Sequence, residues 1–213
     1  VLEDCAHALF SSSGETPLGS QSRASLFSLS KSLATPAGGA LVLNDDSAPE
    51  GLFALHTAPE AREGSGMVRL GLYALESMLP FSLRTVLRSH PLVERRVRQQ
   101  METPSEGVEL CEPRSMGKWS HHIAQRSDPK TIFDRRRENY LAALETLTDA
   151  SSSLVRPVFP DLPIGVCPLV CPLLIPEDRD AVMRLLLRRG IPVRALWDRL
   201  PEMIPAERFP RAS

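Results

Sequence analysis

The chain has 213 residues, 42% of them hydrophobic, enough for one large domain or two small ones with a buried core. Its 25 Lys and Arg stand against 26 Asp and Glu, so no bulk charge favours nucleic acid or a membrane surface. No apolar run approaches the ~20 residues of a membrane helix and no basic, apolar leader is visible, so a soluble cytoplasmic protein is expected.

In chain order, "VLEDCAHAL" reads as an apolar strand end followed at once by acidic and polar residues, as in the middle of a domain. The other terminus, "IPAERFPRAS", stops without a closing helix or strand, so a fragment cut at both ends is expected. Between them, "ASLFSL" and "GGALVL" read as short strands of an α/β sheet, joined by Ser/Gly/Pro-rich loops such as "SSSGETPLGSQS". Residues 47–127 have helical composition broken at Pro80 and Pro91, which suggests two or three helices, and "ETPSEGVELCEPRS" could mark a domain crossing.

The last zone is clearer. "DPKTIFDRRRENYLAALETL" offers Asp128 as N-cap and Pro129 at the first helical position, with Ile132, Phe133, Tyr140, Leu141, Leu144 and Leu147 close to one face. Then follow an extended apolar segment, "GVCPLVCPLLI", a helix in "PEDRDAVMRLLLRRG" that ends at Arg188, Arg189 and Gly190, and a strand, "IPVRALW". Two domains are expected, 1–115 and 116–213, the second a small α/β unit.

Asp4 and His7 stand three apart after the first strand end, and Lys31 follows an apolar strand that carries Ser28 and Ser30, ahead of Gly38 and Gly39. Acid, imidazole and amine would then lie at neighbouring strand ends, where open α/β sheets bind ligands. Alone, Lys31 is an ordinary snorkelling lysine, Asp4 a cap and His7 a satisfied histidine; their order together marks a site. The other candidates read as structural. His121 and His122 are solvated, Arg135, Arg136 and Arg137 form the wet face of a helix, and the cysteines of "CPLVC" pack in the core. Cys5, Cys111, Cys167 and Cys171 lack disulfide density and zinc spacing, so free, mostly buried thiols are expected.

The stretches "VLEDCAHA" and "FSLSKSLATPAGGALVLND" resemble the DegT/DnrJ/EryC1/StrS aminotransferases, and "RRRENYLAALETL" and "RGIPVRALW" look like that family's small domain. The resemblance implies the aspartate aminotransferase-type fold (fold type I), here the C-terminal part of the large domain plus a small α/β domain, in a homodimer. It implies pyridoxal 5'-phosphate as cofactor, held as a Schiff base on Lys31, with Asp4 paired to the pyridine nitrogen and His7 to the phenolic oxygen. Ser28 and Ser30 would reach the phosphate, and Gly38 and Gly39 would let the chain turn beside it. The implied activity moves an amino group from a donor such as glutamate to a keto acceptor, which in the best-known members is a nucleotide-linked keto sugar. The chain departs from the pattern in two places: Leu26 stands where many members carry a phosphate-binding serine, and residues 64–92 show no Asn-x-Arg-Met segment. A non-catalytic relative, and another pyridoxal enzyme such as a lyase or aldolase, stay open at this point.

Overall fold

The computed structural model describes residues 1–45, 58–61, 63, 64, 67, 68, 70, 71, 74, 78, 114–149, 155–176, 178–189, 191, 193 and 195. The chain is of mixed α/β content. Two compact units divide it, one of residues 1–75 with 111–176 and another of 76–110 with 177–213.

The first unit opens with a sheet of β1 (Leu2–Asp4), β4 (Ala24–Ser28) and β5 (Gly39–Leu43) in the order β1-β4-β5. β1 runs parallel to β4 with Asp4 opposite Leu26, and β5 runs antiparallel to β4 with Gly39 opposite Ser28. Between β1 and β4 lies a minimal hairpin, β2 (Ser12–Ser13) and β3 (Thr16–Pro17), turned at Gly14 with φ 61°. A left-handed conformation of that kind is where glycine costs nothing.

The alternation in β4 is inverted from the usual apolar-in pattern. Ser25 is fully buried, whereas Leu26 is 42% exposed. The backbone of Gly19, at φ 90°, passes so close that a Cβ there would collide with the ring of Phe27. Ser25 fits beneath this crossing because it is small, and its hydroxyl donates to the Gly19 carbonyl at 2.5 Å. Asn44 holds the same loop through Nδ2, which donates to the carbonyls of Gly19 at 2.7 Å and Ser22 at 2.6 Å.

A one-turn helix, α1 (Leu29–Ser32), follows β4 directly. Further on, α2 (Lys118–Arg126) and α3 (Pro129–Asp149) stand in sequence. Glu63 caps α2: its carboxylate accepts from the amides of Trp119 and Ser120, each at 3.0 Å, and from the Ser120 hydroxyl at 2.5 Å. These bonds, the Ser120 hydroxyl first, hold the Glu63 carboxyl below its ordinary range. Gly117 is required there by close approach, since a Cβ would meet the Glu63 carboxyl.

Asp128 caps α3 as its position before Pro129 suggests. Its carboxylate accepts from the Lys130 amide at 3.3 Å, from the Thr131 amide at 3.1 Å and from the Thr131 hydroxyl. The buried stripe of α3 centres on Tyr140 and Leu144, while Leu141, expected with them, is 49% exposed. A short ladder of β6 (Arg156–Pro157) with β7 (Leu173–Leu174) completes the described part of this unit. Only Leu173 and Leu174 of the apolar segment 165–175 are paired as strand. Leu29, Tyr140, Leu144, Cys5 and Cys167 are its buried apolar residues among those described.

In the second unit, α4 (Arg179–Arg188) starts at Asp178, whose carboxylate accepts from the Ala181 amide at 3.0 Å. Met183 is its buried residue. Of the strand expected at 191–197, residues 191, 193 and 195 are described and are not strand. Within 47–127, the described positions 64, 67, 68, 70, 71, 74 and 78 are helical, as is α2; the breaks at Pro80 and Pro91, most of the 102–115 crossing, and Cys111 lie outside the described residues. Among the described residues no helix is long and apolar enough to cross a membrane.

Candidate active site

Two parallel strands end side by side and each is followed by a turn that carries one polar group outward. The amide of Cys5, just past β1, donates to the Leu26 carbonyl at 2.8 Å, so β1 ends two residues short of the end of β4 at Ser28. Beyond that point the Ala8 amide donates to the Cys5 carbonyl at 3.0 Å, which closes a turn holding His7. Asp4 stabilises this turn locally, since its Oδ1 accepts from the Ala6 amide at 3.0 Å in an Asx-type arrangement. Oδ2 of Asp4 takes no hydrogen bond among the described residues.

At the end of β4 the chain leaves the sheet because the Gly38 carbonyl accepts from the amides of Leu29 at 3.0 Å and Ser30 at 3.4 Å. Gly38 stands at φ 119°, a backbone that only glycine adopts without strain, and a Cβ on Gly39 would lie 3.0 Å from the Phe27 carbonyl oxygen. The chain folds into α1, whose Leu29 and Ser32 are buried and whose Ser30 and Lys31 are exposed. Lys31 therefore sits on a helical turn beyond the strand and not at the strand end itself.

This turn brings the Lys31 Nζ to 2.8 Å from Nε2 of His7. An ammonium carries only donors, so the contact needs either an unprotonated Nε2 on His7 or a neutral amine that accepts from Nε2–H. Ser28 and Ser30 form a second cluster at the same junction, with their hydroxyls 3.5 Å apart. Ser25 is excluded from it by burial and by its bond to Gly19.

Cys5, between Asp4 and His7, points the other way. It is 3% exposed and its thiol donates to Glu3 Oε1 at 3.3 Å. Burial, then the bond to Glu3, then the charges of Glu3 and Asp4 push the thiol up to about 11, so it is a packing residue and a poor nucleophile. Cys167 is buried too, Cys171 is half-buried, and all three described cysteines are free. His121 and His122 are exposed on α2, and no group of metal-ligating side chains occurs among the described residues.

The triple arginine departs from the expected wet face. Arg135 is exposed, but Arg136 and Arg137 are half-buried and donate to backbone carbonyls. Arg137 reaches the carbonyls of Pro163 at 2.6 Å and Val166 at 2.7 Å, and its guanidinium lies 5.3 Å from the Phe133 ring centre. Arg136 reaches Pro168 at 3.2 Å and, next to Lys31, the Ser32 carbonyl at 2.8 Å. A signal for this existed in the helical period: Phe133, Arg136, Arg137, Tyr140 and Leu144 are spaced three and four apart and share one side of α3.

Lys31 and His7 set an amine against an imidazole, Asp4 offers a carboxylate with one open oxygen on its own turn, and Ser28 and Ser30 offer a pair of hydroxyls; among the described residues no hydrogen bond joins these three groups. No curated protein and no solved structure matches the chain. Residues 1–68 match the model of the DegT/DnrJ/EryC1/StrS aminotransferase family, whose members depend on pyridoxal phosphate. The match covers residues 1–68, with Asp4, His7, Ser28, Ser30 and Lys31 inside it.

Proposed function

We propose that the protein is a pyridoxal-phosphate-dependent aminotransferase that moves an amino group from an amino acid such as glutamate to a keto acceptor. The observation that carries this reading is the Lys31–His7 contact of 2.8 Å at the adjoining ends of β1 and β4. When bound, pyridoxal phosphate would supply an aldehyde for amino groups and a ring that takes up the electron pair released at the donor's α-carbon.

The chain's own residues divide the work. Lys31 is the amine that would hold the cofactor and, once displaced by a donor, the base that moves its α-proton. His7 accepts from or donates to that amine and would face the phenolic oxygen. Asp4, fixed through Oδ1 by the Ala6 amide, keeps Oδ2 open for the protonated ring nitrogen. A carboxylate there favours the charged form of its partner. Ser28 and Ser30 would meet the phosphate with their hydroxyls, and neither is replaced by the buried Ser25.

A nucleotide-linked keto sugar as acceptor and a homodimer as the working form belong to the same reading and follow the family. Borohydride reduction of the holo-protein, followed by peptide mapping, tests it. The cofactor should be fixed on the peptide containing Lys31. Fixation on another lysine, or none, would overturn the assignment.

A further inference from the structure

We infer that Arg136 is a positioning residue for Lys31, acting through the carbonyl of the residue after it. α1 is four residues long, and a helix of that length leaves its last carbonyls without intrahelical partners. The Leu29 carbonyl is taken by the Leu33 amide at 2.7 Å. The Ser32 carbonyl is taken by Arg136 Nη2 at 2.8 Å, a bond that joins positions 104 residues apart in the chain. Ser32 itself is buried, so without that donor its carbonyl would turn toward whatever polar group could be found, and Lys31 would turn with it.

The other end of the same guanidinium is anchored. Arg136 Nη1 donates to the Pro168 carbonyl at 3.2 Å, and Pro168 belongs to a segment moored on both sides. Arg137 binds Pro163 and Val166 of that segment, and Tyr140 donates from its hydroxyl to the Phe159 carbonyl at 3.0 Å. The segment in turn reaches the strand that follows His7. The Ser12 amide donates to the Gly165 carbonyl at 2.8 Å, and the Cys167 amide donates to the buried Ser11 hydroxyl at 3.0 Å. The chain beyond His7 and the turn that carries Lys31 are thus tied to one segment, 163–168, and Arg136 is the tie on the Lys31 side. A planar fork can serve two carbonyls at once, which an ammonium on a flexible stem does poorly.

The inference rests on the reading that Lys31 is the reactive amine, and the test separates the two. The rate at which pyridoxal phosphate becomes borohydride-fixed on Lys31 is measured against its concentration for the parent protein, Arg136→Gln, Arg136→Lys and Arg137→Gln, beside the thermal midpoint of each. Arg136→Gln should lower the limiting rate by about tenfold, since small misplacements of a reacting group carry costs of that order. The half-saturating concentration should stay within about twofold, because the phosphate-binding groups are untouched. Arg136→Lys, which keeps a charge and one bond, should fall between. Arg137→Gln, which loosens the same segment without touching Ser32, should lower the midpoint and leave the limiting rate close to the parent's. A parental limiting rate in Arg136→Gln, or equal losses in Arg136→Gln and Arg137→Gln, would overturn the role of Arg136 alone. If Arg136→Gln does not fold, Arg136→Lys decides by the same comparison. Absence of fixation on Lys31 in the parent protein would overturn both readings.

Discussion

Nε2 of His7 lies 2.8 Å from Nζ of Lys31, across a gap that separates them by 24 positions in the sequence. The contact needs a lone pair on one of the two nitrogens, so each side chain restricts the other's hydrogen bonding. Labelling of Lys31 by an amine-reactive reagent, measured at one fixed pH in the protein without cofactor, should change in rate when His7→Gln replaces this partner. An unchanged rate in His7→Gln would mean that the two side chains are neighbours without being coupled.

What the sequence reveals of this arrangement depends on the range of the forces involved. The cap at Asp128, the helix within 176–190 and the strands β4 and β5 are set by neighbours within a few residues, and local pattern finds them, whereas the cap at Asp178 comes from the structure. The turn α1 was hidden because it is made by the Gly38 carbonyl, nine positions beyond Leu29. Arg136 was half legible: its spacing from Tyr140 and Leu144 puts it on their side of α3, but the two carbonyls that its guanidinium satisfies lie in separate parts of the chain, and only the tertiary fold identifies them. Lys31, His7 and Asp4 were singled out together because their order resembles that of the family whose model residues 1–68 match, and of the three the structure joins Lys31 to His7.

Gly165 of segment 163–168 packs against Ser12 of β2. A Cβ at this position would collide with the carbonyl oxygen and the hydroxyl of Ser12, and the Ser12 amide bond to Gly165 at 2.8 Å would have to open. Gly165→Ala should therefore destabilise the fold by about 1–3 kcal/mol, as overpacking does elsewhere. Urea unfolding measures this directly, and a midpoint equal to the parent's would show that the contact is loose.

Cys5 gives the protein a dependence on alkaline pH whose sign follows from burial. Its thiol is pushed from an ordinary 9.0 to about 11 in the fold. Between these values the unfolded chain has released a proton that the folded chain retains, so the unfolding free energy falls as pH rises through that window. Below it the thiol is protonated in both states and contributes no slope. Cys5→Ala should flatten the decline by up to roughly 1.4 kcal/mol per pH unit, leaving whatever Cys167 and Cys171 contribute, since burial raises their thiols as well. Unfolding curves collected across the window for both proteins decide it; parallel slopes would mean that Cys5 ionises in the fold as freely as in the unfolded chain.

Asp4 serves a local turn through Oδ1 and leaves Oδ2 open, and these two duties can be separated by one substitution. In Asp4→Asn the side-chain carbonyl can still accept from the Ala6 amide, so the turn that carries His7 keeps its geometry. The negative charge is gone, and with it the preference for a protonated ring nitrogen in a cofactor seated there. Lys31 and its contact to His7 do not depend on that charge, so borohydride fixation of pyridoxal phosphate on Lys31 should persist. The half-reaction with glutamate, followed as single-turnover loss of the bound cofactor's absorbance, should slow by about 100-fold or more, equivalent to ~2.7 kcal/mol of barrier. His7→Ala should cost less, because it alters a neighbour of the amine and not the charge that, in the proposed function, would stand opposite the ring nitrogen. If Asp4→Asn reacts at the parental rate while fixation on Lys31 is intact, Asp4 is a turn residue only, and the carboxylate that faces the ring must come from another part of the protein.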